Sequence, residues 1–75
     1  MKRFYKVSDS VFIEIGFVET ISKWYADLID VDSHRIISTN SNTVKVKLIA
    51  SIVKDNWFTD NLDNFALFIE DILKY

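Results

Sequence analysis

The sequence predicts a small α+β domain: a four-stranded antiparallel sheet in ββαββα order, with two amphipathic helices packed on one face. Three observations carry that expectation. Apolar residues recur at helical spacing in two segments, β-branched residues alternate in others, and clusters of Ser, Asp and Asn separate them. At 75 residues, the chain is expected to form one domain over residues 1–75.

Residues Phe4 to Val7 and Val11 to Ile15 read as a hairpin joined by Ser8-Asp9-Ser10. Val11, Ile13 and Ile15 share one face, and Phe12 and Glu14 the other. Phe17 to Ile29 then follows a helical period, with Phe17, Val18, Ile21, Trp24, Tyr25, Leu28 and Ile29 on one side. Glu19 and Lys23 add an i,i+4 pair. The alternative is a single longer helix from Ser10 to Asp30.

A second hairpin is expected from Arg35 to Ser38 and Thr43 to Val53, turning at Asn40-Ser41-Asn42. Val44, Val46, Leu48, Ala50 and Ile52 alternate with Lys45, Lys47, Ile49, Ser51 and Val53. A helix over Lys47 to Phe58 is the competing reading, disfavoured by its β-branched residues. The closing helix, Asp60 to Tyr75, is the clearest element. Leu62, Phe65, Phe68, Ile69, Ile72 and Leu73 form its apolar face, and Asp63, Glu70 and Lys74 the opposite one. Thr59 or Asp60 stands in position to cap it.

Composition bounds the function. The chain is 49% hydrophobic and 27% charged, on the folded side of the disorder boundary. It has no Cys and one His, so neither disulfides nor an ordinary zinc site can staple it. Six Phe, three Tyr and two Trp supply a dense core instead. A net charge of −2 does not mark a nucleic-acid or membrane binder. The basic start is not followed by a signal-length apolar run, because Lys6, Ser8, Asp9, Ser10, Glu14 and Gly16 interrupt it. A cytoplasmic, membrane-free protein is therefore expected.

Candidate chemistry is sparse. Asp30-x-Asp32-x-His34 would align three ligands if extended, and its first half matches a calcium loop. Arg35 stands where that loop needs Gly, and Ser41 where it needs a bidentate Glu, so a polar connector is expected. Ser33 and His34 are adjacent, which does not suit a nucleophile and its base. One glycine cannot build a phosphate-binding loop. No catalytic, cofactor or metal residues are assigned, and no enzymatic activity is expected.

A non-enzymatic protein-binding module is the favoured reading. Small inhibitors from phages or mobile elements, of the anti-defence or host-takeover kind, are of this physical type. Between Asp55 and Asp71 there are five acidic residues and no basic one. The expected partner contacts are Trp57, Asp63, Leu67, Glu70 and Asp71, with Leu67 off the apolar stripe. The first alternative is nucleic-acid binding through Lys2, Arg3 and Lys6 and a strand face bearing Lys45 and Lys47. The second is a structural homodimer.

Overall fold

A computed structural model describes residues 2–59 and 61–75. The strands are β1 (Lys2–Lys6), β2 (Val11–Val18), β3 (Lys23–Asp30) and β4 (Ile36–Asn42). The helices α1 (Lys45–Lys54) and α2 (Leu62–Ile72) follow. The sheet is a meander, β1-β2-β3-β4, with every neighbour antiparallel. The α+β class is as expected; the order is ββββαα rather than ββαββα.

The first hairpin forms where predicted, with Tyr5 opposite Ile13 and Lys6 opposite Phe12. The predicted helix over Phe17 to Ile29 is instead the second hairpin. Its corner is a 3-10 turn, Glu19–Ile21, closed by Ser22 at φ 49°. Periodicity misled because both faces of β3 carry large apolar residues. Trp24, Ala26 and Leu28 point to the helices, while Tyr25 and Ile29 lie on the other face. A strand apolar on both sides loses the alternation that distinguishes it from a helix. Asn40, Ser41 and Asn42, expected as a loop, are strand residues paired with Ala26, Tyr25 and Trp24.

The predicted strand Thr43 to Val53 is largely helix α1. Leu48, Ile49 and Ile52 fall at i, i+1 and i+4 and are its buried residues. Val44 occupies the cap position without a side-chain cap, and Lys45 sits in the first turn, where the dipole disfavours a cation. Local signals for a helix are therefore weak, and burial stabilises it. α2 forms as predicted within narrower bounds. Asn61 caps it, accepting from Asn64 N at 3.3 Å. Thr59, one of the two expected caps, bonds Phe58 O instead; the other, Asp60, lies outside the described residues.

Both helices cover one face of the sheet. Ile13, Ile15 and Ala26 from that face meet Leu48 and Ile52 of α1 and Phe68 and Ile72 of α2 in one core. Trp57 and Phe58, on the link between the helices, are buried in it. Phe58 packs on Phe65 and Phe68 with ring centroids 5.4 and 5.1 Å apart. No helix of the described residues is long and apolar enough to cross a membrane.

Candidate functional site

Each helix is tied to a different side of the sheet, and those ties fix which flank each turns outward. At the start of α2, Asn61 and Asn64 both donate to Val7 O at 2.9 Å. Near its end, Asp71 Oδ2 accepts from Arg3 Nη1 at 2.8 Å and from the Tyr5 hydroxyl at 2.6 Å. Arg3 also lies over the Tyr75 ring, 4.2 Å from its centroid. These bonds, the Tyr5 hydroxyl first and then Arg3, hold the Asp71 carboxyl below its usual range. Burial, and then the bond to Asp71, push the Tyr5 hydroxyl up to about 12. The Asp71 flank of α2 therefore faces β1, and the opposite flank faces α1.

α1 is tied to the other edge. Asp55, just past its end, accepts from Asn40 Nδ2 of β4 at 3.0 Å. The opposite flank carries Val46, Ala50 and Val53, spaced i, i+4, i+7 on one stripe. Val53 and Ile52 bound one cavity with Phe65 of α2, which places this stripe toward α2. The two helices run antiparallel: the Trp24 ring meets Lys45 Nζ at 5.6 Å and the Tyr75 ring at 5.8 Å. The start of α1 and the chain just after α2 thus lie at one end, and the Trp57-Phe58 link at the other.

The outer surface of this helix pair carries an apolar seam. The apolar residues of α2 from Phe68 round to Ala66 span about 160° of the helical wheel, where a helix packed on one core needs about 100°. Phe68 and Ile72 use the inner part of that arc and are fully buried. The surplus is exposed: Leu62 at 74% and Leu73 at 57%, with Ala66 between them. Across from them, Val46 is 62% and Val53 49% exposed, with Ala50 between. Scattered single apolar residues need no explanation, but two stripes along neighbouring helices make an exposed apolar surface. Outside the seam, the rims differ in charge. Exposed Lys47 and Lys54 flank it on α1, and exposed Asp63 and Glu70 on α2.

The expected partner contacts divide on this frame. Asp63, Leu67 and Glu70 are exposed on α2, Leu67 at 65%. Trp57 is corrected: it is 7% exposed and belongs to the core, so it presents no anchor. Asp71 joins α2 to β1 and is not a free acid of the outer face. Val46, Ala50, Val53, Leu62 and Leu73 were missed. The first three were hidden by reading α1 as a strand, and the last two were assigned to the core. The excessive width of the α2 apolar arc was the signal that could have found them.

The five residues of the nucleic-acid alternative are dispersed. Lys45 and Lys47 do not share a strand face: both are on α1, about 200° apart on its wheel. Lys45 reaches over Trp24, while Lys47 is exposed. Lys2 pairs with Glu14 at 3.8 Å on the open face of the sheet. Arg3 lies on the helix side with Asp71, and Lys6 pairs with Asp9 at 3.0 Å.

Asp30, Asp32 and His34 lie on a turn rather than an extended segment. Asp30 Oδ2 accepts from Ser33 N and Ser33 Oγ, each at 2.8 Å, which lowers the Asp30 carboxyl below its usual range. His34 takes φ 59°, in the left-handed region. Among the described residues no three His, Asp or Glu side chains gather as a metal site. Comparison with protein families, curated proteins and solved structures finds no match to this chain.

Proposed function

We propose that this chain is a non-enzymatic protein-binding module that works by laying the outer surface of its helix pair on another polypeptide. The observation that supports this reading is the exposed apolar seam of Val46, Ala50 and Val53 on α1 and Leu62, Ala66 and Leu73 on α2. Aliphatic side chains held in water by a rigid helix pair gain roughly 25 cal/mol for each Å² that a partner covers. They pay little ordering entropy, because the helices are already formed. The charged rims border the seam as a polar margin borders the apolar centre of an ordinary protein interface.

The test compares the proteins captured from a cell lysate by the wild-type chain and by a Leu62→Lys/Leu73→Lys variant. Both positions are exposed, so the variant is expected to keep its fold, with a stability change within about 0.5 kcal/mol per site. Loss of the captured proteins with an unchanged far-UV circular dichroism spectrum is the expected result. Undiminished capture by the variant rules out this surface.

A further inference from the structure

We infer that the occupant of the seam is a second copy of this chain, related by a two-fold axis running parallel to the helices. The inference rests on the proposed reading of the seam as a protein interface and names its partner. The arrangement of charge on either side of the seam supports it. On one side of the seam Lys47 and Lys54 stand exposed on α1; on the other, Asp63 and Glu70 stand exposed on α2. Within each pair the residues are seven apart, about 10.5 Å along a helix at 1.5 Å rise per residue. The basic and acidic rims therefore have the same spacing.

A two-fold axis along the seam exchanges left and right and preserves position along the helices. It lays α1 of one copy over α2 of the other, so each lysine rim faces an acidic rim while the two seams meet between them. Such an interface is isologous: one patch serves both subunits. An axis across the helices would instead place α1 over α1, lysines on lysines, and is disfavoured by like-charge repulsion. Lys74, exposed beyond the end of α2 on the side of Glu70, adds a small contribution to lowering the Asp71 carboxyl of its own chain. The product is a layer of four helices between two sheets, with apolar residues inside and ion pairs at both margins.

The experiment is sedimentation equilibrium of the full chain from about 1 µM to about 1 mM, alone and as charge variants. The wild type is expected to form dimers that weaken as salt screens the rims. A Lys47→Glu/Lys54→Glu variant has two acidic rims, and an Asp63→Lys/Glu70→Lys variant has two basic ones. Each alone is expected to dimerise at least about tenfold more weakly than wild type. Mixed in equal amounts, they are expected to regain association as a heterodimer, because both rims are then opposed by opposite charge.

A wild type that stays monomeric throughout overturns the inference. So do charge variants that dimerise as well as wild type, or a mixture that fails to associate. The Leu62→Lys/Leu73→Lys variant separates this failure from failure of the interface reading. If the wild type is monomeric yet loses captured proteins on that double substitution, the seam binds a different partner. If the double substitution changes neither self-association nor capture, the seam is not an interface at all.

Discussion

The two faces of the sheet use the same chemistry to different ends. Each carries a tyrosine whose hydroxyl donates to a carboxylate. On the helix-covered face Tyr5 meets Asp71 at 2.6 Å, joining β1 to α2 across 66 residues of chain. On the open face Tyr25 meets Glu14 at 2.7 Å, joining neighbouring strands. The first bond holds a tertiary contact in place; the second shapes a surface the strands already make. The apolar residues differ likewise. Ile13, Ile15 and Ala26 are fully buried under the helices. Phe4 and Phe12, paired at 6.1 Å on the other side, leave Phe4 largely in water. The lesson is that apolar content does not distinguish the two faces of this sheet; the helices do.

The largest effect that sharpens the contrast comes from truncating aromatics on either side. Phe68→Ala empties a fully buried site against Tyr5 and Phe58, and is expected to cost about 3–5 kcal/mol. Phe4→Ala on the open face is expected to cost less than about 1 kcal/mol, the scale of a cross-strand pair. Urea unfolding of the two variants measures both. Similar costs would mean that the open face is as much a core as the covered one.

The next effect lies within the open face. Gly16 pairs with Tyr25, and a Cβ there would stand 2.9 Å from Tyr25 Cε1. The missing side chain lets the ring lie across the strand toward Glu14. Gly16→Val is expected to displace the ring and cost about 1–3 kcal/mol by overpacking. Adding Tyr25→Ala should recover part of that loss in the same unfolding measurement, because the obstructing ring is gone. An unrecovered loss would place the strain in the backbone.

The smallest expected effects are in pH dependence, and they read the two tyrosines directly. Burial first, and the carboxylate bond second, push both Tyr5 and Tyr25 up to about 12. Their unfolded value is about 10. Since the folded value is the higher, the stabilisation is complete below about pH 10 and is lost as pH rises toward 12. Tyr5→Phe and Tyr25→Phe should each flatten part of that alkaline decline. Asp71 acts in the opposite sense. Its folded value is lowered, so its contribution is present above about pH 4 and fades as pH falls through the folded value. Asp71→Asn should flatten the acid limb, as followed by thermal melting across pH.

Much of the fold was legible in the chain because several local signals agreed. In α2, helical spacing and an acidic residue in the first turn point the same way, although the cap is Asn61 and not Thr59. In the first hairpin, β-branched alternation and the Ser8-Asp9-Ser10 turn do so too. The site was half legible: Asp63, Leu67 and Glu70 were read as outward-facing, and they are exposed. The other half was not, because Val46, Ala50 and Val53 have an outer helix stripe only once α1 is known to be a helix. Trp57 shows the converse. Its place between polar turns suits either the end of the core or an exposed anchor, and what packs over it decides for the core.

The sequence by itself determined the α+β class, the first hairpin, the closing helix and the use of Ser and Asn at corners where glycine is scarce. Asn56 takes a left-handed conformation at such a corner. Only the tertiary structure decided that Phe17 to Ile29 is a hairpin and that Lys45 to Lys54 is a helix. Both segments carry apolar residues on more than one face, so each fits a period of two nearly as well as one of 3.6. A four-stranded meander already has its strands paired, and one of its apolar faces must still be covered. α1 and α2 cover it, and that long-range burial outweighs the local β preference of Val46, Ile49, Ile52 and Val53.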